Sequence, residues 1–154
     1  CGIDPGLSGG LAFFDNESKT IHAEKAPIFT VNLKPKKKRF LDMWTLMRMF
    51  DEHDPDHIYI EKQQAMPQQG LVSTFATGMG YGVYLGLIVA SGMSYTEVSP
   101  RTWKKDLNCP SDKDASRKRA SELLPQGSHL WQQKNQDGLA EASLIAYWGI
   151  YKAN

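Results

Sequence analysis

Cysteine is scarce in this chain. Cys1 and Cys109 stand alone among 154 residues, with no CxxC pair. Two thiols so spaced build neither a disulfide scaffold nor a cysteine zinc site, and a reducing compartment is expected. Long apolar runs are also lacking. The longest, residues 79–93, is interrupted by Gly80, Gly82, Gly86 and Gly92, so neither a membrane span nor a signal peptide is expected. There is no internal repeat. His22, His53, His57 and His129 show no metal-ligand spacing and are assigned surface or core roles. The chain starts without Met and directly in a strand-like run, so residues ahead of Cys1 are expected, a targeting segment among the options.

What is present describes a globular unit. Hydrophobic residues make up 41% and charged residues 23%, ordinary values for a folded domain. One domain, residues 1–154, is long enough to bury a core. The net charge is only +1, but it is unevenly spread. Lys34, Lys36, Lys37, Lys38 and Arg39 cluster, as do Lys113, Arg117, Lys118 and Arg119. Basic patches beside a separate acidic site suit an anionic partner and bound cations.

The opening residues, Cys1 to Gly10, carry a short apolar run to Asp4, then Pro5-Gly6 and a Gly-rich return into Leu11. Strands over Leu11–Asp15 and Thr20–Ala26 complete an antiparallel meander. Residues 27–38, with two prolines and a lysine run, read as irregular. From Arg39 the spacing of Phe40, Met43, Met47 and Phe50 predicts a helix ending near His53. A strand over 57–61 ends on Glu61, a polar loop covers 62–69, and residues 71–91 form a long helix. A strand over 95–98, a helix opened by Pro100, and a helix from Lys113 to Leu124 capped by Ser111 or Asp112 follow. The last helix starts near Asn135 or Gln136, with Gly138 blurring its first turn. The expected fold is α/β, a mixed sheet with helices on both faces.

Asp4 and Glu61 both end strands, where an α/β sheet gathers side chains into one crevice. Asp137 and Glu141 are four apart, hence on one helical face. Four converging carboxylates make a hard oxygen site for Mg²⁺ or Mn²⁺. Two such ions ~4 Å apart activate water and stabilise a leaving oxygen in phosphodiester hydrolysis. Each acid also has a bland role: a turn bond for Asp4, a strand-end charge for Glu61, a solvated helix face for the pair. Spacing alone leaves both readings open.

Ile3-Asp4-Pro5-Gly6 with Gly9-Gly10, Ile58-Tyr59-Ile60-Glu61, and Asp137-Gly138-Leu139-Ala140-Glu141-Ala142 together resemble the RuvC-type Holliday junction resolvases of the ribonuclease H-like superfamily. Gln68-Gln69-Gly70, Gly78-Met79-Gly80-Tyr81-Gly82, residues 98–104 and residues 113–117 are similar to the phage-encoded and plant organellar branch. The resemblance runs in order from residue 2 to about residue 149. It implies a ribonuclease H-like sheet and a homodimer on a four-way DNA junction, each subunit nicking one strand. It implies catalysis by Asp4, Glu61, Asp137 and Glu141 holding Mg²⁺, as two ions, with Mn²⁺ able to substitute. No small-molecule cofactor and no membrane partner are implied. Bacterial relatives usually end with two aspartates, so Glu141, one methylene longer, is a departure. Asn135 stands just upstream of the Asp137 and Glu141 pair, and Lys113 is the implied cation near the leaving group or phosphate.

A DNA surface needs cations. Arg101 and Lys104 follow a strand end, and Lys113 and Arg117 share a helical face; all four are candidate DNA contacts. Gln68 and Gln69, in the loop after Glu61, are candidates for base edges. Phe75 and Tyr81 are candidates for base stacking or an interface, and the tryptophans for packing. The dimer interface is expected on the glycine-punctuated helix, around residues 78–86. The compartment is a bacterial or phage-infected cytoplasm or an organelle interior. The competing functions are cleavage of RNA–DNA hybrids or other branched DNA, ATP binding as in the sugar-kinase and actin group, and a non-catalytic DNA-binding module. ATP binding needs two lobes of this kind, and this length supplies one.

Overall fold

The computed structural model describes residues 1–110 and 112–153; Ser111, Asn154 and the Lys113 side chain lie outside the described residues. Its order is β1 (Gly2–Asp4), β2 (Gly10–Phe14), β3 (Ile21–Lys25), β4 (Ile28–Leu33), β5 (Lys36–Leu41), α1 (Met43–His53), β6 (Ile58–Glu61), α2 (Leu71–Ala90), β7 (Tyr95–Val98), α3 (Pro100–Asp106), α4 (Lys113–Leu123) and α5 (Asp137–Tyr151). Two 3₁₀ segments, Pro125–Trp131 and Lys134–Gln136, join α4 to α5.

Five strands form one sheet in the order β3-β2-β1-β6-β7. The meander β1-β2-β3 is antiparallel, as the strand–turn pattern predicts. β6 and β7 add in parallel, β6 beside β1 and β7 beside β6. Side chains alternate across a strand. Ile3, Leu11, Ile58 and Ile60 face one side and pack with Leu46 and Phe50 of α1 and Tyr84 and Ile88 of α2. Ala12 and Ala23 face the other, against Leu139 and Ala142 of α5. Helices therefore cover both faces, and each fully buried isoleucine or leucine contributes about 1.5–3 kcal/mol. Gly2 lies so close to the backbone of Ala142 and Ala146 that a Cβ there would collide with α5.

Residues 28–41 are not irregular. β4 and β5 pair as an antiparallel hairpin, Ile28 opposite Leu41 through Leu33 opposite Lys36. The reason it escapes the sequence pattern is its exposure: with almost no buried face, it needs no apolar alternation. Phe40 belongs to this hairpin, stacked on Phe29 with ring centroids 5.6 Å apart. The helix starts only at Met43, where the Asp42 carboxylate accepts from the Thr45 N–H at 3.2 Å. The α4 cap is Asp112, which accepts from the Ala115 N–H at 3.2 Å; the alternative cap, Ser111, lies outside the described residues.

The glycines that break the apolar run in sequence do not break the helix. α2 runs 20 residues with mean hydropathy 1.4, long and apolar enough by length and composition to cross a membrane. Its buried residues are Tyr84 and Ile88, both in the core.

Candidate active site

β1 and β6 lie side by side, Gly2 opposite Tyr59 and Ile3 opposite Ile60. Their last residues, Asp4 and Glu61, thus leave the sheet at neighbouring points of one edge. Alternation sends both towards the α5 side. α5 brings Asp137 in its first turn and Glu141 one turn on. Gly138 is what lets it do so. A Cβ there would stand 2.5 Å from the Gly9 Cα, so only glycine allows the start of α5 to rest on the opening turn. Asp4, Asp137 and Glu141 consequently line one cavity of about 560 Å³, with Gly6, Gly9, Asn135, Lys25 and Arg39.

The carboxylates press on one another. Burial, then Glu141, then Glu61 push the Asp4 pKa from 3.8 up to about 7, against a weak 3.4 Å bond from the Gly6 N–H. Burial raises Glu61 as well, and Glu141 adds to it. Opposing that, Trp103 Nε1 donates to Glu61 Oε2 at 2.7 Å and Gln63 Nε2 to Oε1 at 3.3 Å. Glu141 Oε1 accepts from Lys104 Nζ at 3.0 Å and from Ser116 Oγ at 2.9 Å. Burial works against the Lys104 charge, but Glu141 and Glu61 outweigh it and hold its pKa above the usual lysine value. Asp137 pairs with Arg117, Oδ1 to Nε at 3.6 Å.

The structure thus brings three predicted acids into one electrostatic cluster, with Asp137 on the same cavity. Among the predicted DNA contacts, Lys104 is drawn into the cluster. Arg117 is held by Asp137, Asp114 and the Gln132 carbonyl. Arg101 is exposed at the start of α3. Gln68 is exposed with φ 68°. The Gln69 amide fastens its loop to α2, accepting from the Met66 N–H and donating to Ser73 and Thr77 at 3.2 Å each. Lys113, the candidate cation, lies outside the described side chains. Tyr81 is engaged by Glu97 at 2.5 Å, whereas Phe75 is exposed.

Trp103, read as a packing residue, and Ser116, not singled out, are what orient Glu61 and Glu141. Both are fully buried. Topology holds the only signal for Trp103: it follows β7, the strand next to Glu61. Two histidines without ligand spacing also meet; His22, Glu24 and His53 gather on the opposite side of the sheet.

An oxygen-only donor set suits a hard divalent cation, and the raised pKa of Asp4 reflects burial first and then the repulsion of Glu141 and Glu61, which such a cation would relieve. Asp4, Glu61, Asp137 and Glu141 offer carboxylate oxygens, the donor type that a hard divalent cation takes.

A mixed five-stranded sheet in this order, with a three-strand antiparallel meander and two parallel strands, is a ribonuclease H-like fold. Two solved structures of Thermus thermophilus RuvC share it. The one in complex with a Holliday junction substrate superposes with a TM-score of 0.60 at 12% identity, covering 98% of this chain and 94% of that one. The other gives 0.60 at 16% identity, with coverage of 97% and 93%. In sequence, the chain is 31% identical over 94 residues to the chloroplastic Holliday junction resolvase MOC1 of Chlamydomonas reinhardtii. That match covers 60% of this chain and 11% of the relative, so the chain spans about a tenth of the length of that relative. No protein-family model matches the chain.

Proposed function

We propose that this protein is a structure-specific endonuclease that resolves four-way DNA junctions by paired, metal-dependent phosphodiester hydrolysis. The observation that carries the reading is the coupled trio of Asp4, Glu61 and Glu141, two of them at the ends of adjacent parallel strands. The likeness to a RuvC solved on a Holliday junction, and to a resolvase in sequence, supports the choice of substrate.

Asp4, Glu61, Asp137 and Glu141 would hold Mg²⁺, with Mn²⁺ as a substitute. When bound, such ions supply water activation and neutralise charge on the phosphate and leaving oxygen. The chain's own residues prepare the site. Trp103 and Gln63 fix the two oxygens of Glu61, and Ser116 and Lys104 fix one oxygen of Glu141. Lys104 also offsets the negative charge and stands ready for a phosphate drawn into the cluster. Arg39 and Lys25, on the rim of the same cavity, add positive charge where DNA must approach. The basic hairpin extends that charge outward.

Two copies of the chain act together in this reading, one per strand. The exposed face of α2 supports it, with Leu71, Val72 and Phe75 each more than 70% exposed. A reducing compartment suits the two free thiols, and the chloroplastic relative favours an organelle interior.

Four-way junction, duplex, single strand and RNA–DNA hybrid, each with Mg²⁺ or chelator, form the test. Symmetric paired nicks on the junction alone, lost in Asp4→Asn while junction binding remains, are expected. Cleavage of the hybrid alone would favour a ribonuclease. Junction binding without any Mg²⁺-dependent cutting would make this a non-catalytic module.

A further inference from the structure

We propose that His22, Glu24 and His53 form a second metal site, selective for a transition-metal dication of the zinc class and separate from the carboxylate cluster. His22 and Glu24 are two apart on the edge strand β3, so they project to the same side. Their partners across the ladder are Phe13 and Leu11, which face α1 and α2. The trio therefore lies on the face of the sheet away from α5 and its acids. His53, the last residue of α1, completes it.

The donor atoms already converge. His22 Nε2 is 2.8 Å and His53 Nε2 3.9 Å from Glu24 Oε1, and all three donors lie within 4.8 Å of one another. Ligands on one zinc at 2.0–2.1 Å sit about 3.3 Å apart, so closure needs a shift of an ångström or so. His53 is preset, its ring stacked on Phe13 at 3.9 Å and 16°. His22 is the adjustable member. Its side chain is 55% exposed, and its ring leans over His53 at 5.0 Å. Imidazole lone pairs lie in the ring plane, so His22 turns edge-on to share an ion.

A second observation points the same way. Both histidines, though not Glu24, line an open cavity of about 840 Å³ that reaches round to Ala146 and Ile150 near the end of α5 and whose walls carry Asp15, Glu17, Glu52, Asp54 and Asp56. Among the described residues, neither lysine nor arginine lines it. Such a cleft concentrates cations. Imidazole donors favour zinc, copper or nickel, whereas the all-carboxylate cluster favours magnesium. Two histidines and one carboxylate leave coordination positions open to water or an outside ligand. The ion would tie the edge strand to the end of α1.

The experiment takes the full chain, stripped by chelator, and titrates Co²⁺ and then Zn²⁺. With millimolar Mg²⁺ present to occupy the carboxylate cluster, one Co²⁺ per chain with visible d–d bands is expected, displaced by Zn²⁺. Zn²⁺ should raise the melting temperature by roughly 8 °C at a hundredfold excess over its dissociation constant. His22→Gln with His53→Gln should weaken binding at least a hundredfold while circular dichroism shows the fold intact; Asp4→Asn should leave binding unchanged. The proposal fails if no Co²⁺ binds, if the histidine pair can be replaced without effect, or if Asp4→Asn abolishes binding. A thiolate-to-cobalt charge-transfer band would overturn the ligand set in favour of Cys1, which lines the same cavity.

Discussion

Asp4 is a carboxylate whose charge the fold resists. Its pKa is 3.8 in an open chain and about 7 in the folded one, so between those values the folded state holds the extra proton. Raising pH across this window therefore removes stability from the metal-free protein, by on the order of a few kcal/mol. Melting curves in chelator should fall from pH 4 to pH 7 and then level. Asp4→Asn should flatten that slope, and Mg²⁺ should restore the loss at pH 7 and above. An unchanged slope in Asp4→Asn would remove Asp4 as its source. The same proton competes with metal, so the Mg²⁺ needed for half-maximal cutting should drop as pH rises towards 7.

Glu61 is held differently, by a buried indole N–H at 2.7 Å. Trp103→Phe keeps most of the ring volume and deletes that donor. A buried carboxylate stripped of a partner costs about 1–3 kcal/mol. Chemical denaturation should show this loss. Cutting should fall at least tenfold with junction affinity nearly unchanged, because in the proposed function the deleted group orients a metal-holding carboxylate and does not itself bind DNA. Equal losses in binding and cutting would instead mean that Trp103 supports the DNA surface.

At the scale of elements, legibility follows burial. β1 and β6 are readable because a buried strand must be apolar, and an acid at its end stands out. The β4–β5 hairpin is not, since almost none of it is buried and lysines open β5. Phe40 falls by chance on the helical spacing of Met43, Met47 and Phe50. Gly138 reads in sequence as a weak helix start; its reason, contact with Gly9, is tertiary and 129 residues distant. The meeting of His22 with His53 is invisible in sequence for the same cause. The hairpin's exposure has a functional consequence. Replacing Lys36, Lys37 and Lys38 with Gln should leave the melting temperature within about 1 °C, because exposed changes are nearly neutral. Junction affinity should weaken, and the slope of log affinity against log salt should become shallower by about 0.9 for each phosphate no longer neutralised. Fluorescence anisotropy over a salt series measures both, and an unchanged slope would leave the hairpin outside the DNA surface.

The whole molecule is asymmetric in how it is covered. The α2 face towards the sheet carries Tyr84 and Ile88, while Leu71, Val72, Phe75, Met79 and Val89 are exposed. At 3.6 residues per turn, these five and Gly78, Gly82 and Gly86 fall within one arc of about 120°. Among the described residues, and apart from the backbone of α2 itself and the adjacent residues, no atom lies within 4 Å of a Cβ built on any of these three glycines. An apolar arc with gaps at backbone level suits a second helix of the same kind, crossing closely. A two-fold copy would also match the substrate proposed above, since a four-way junction is resolved only when two strands are cut. The glycines make this helix conspicuous in the sequence, but which side faces outward depends on how the helix rolls against the sheet. Leu71→Glu with Phe75→Glu should halve the mass measured by light scattering and leave the sheet intact. On a plasmid-borne cruciform, the unaltered protein should give linear product by paired nicks. The charged variant should give nicked circles, with each strand cut independently. Linear product from a protein proven monomeric would refute pairing through α2, and a wild-type chain that is monomeric both free and on the junction would refute it too.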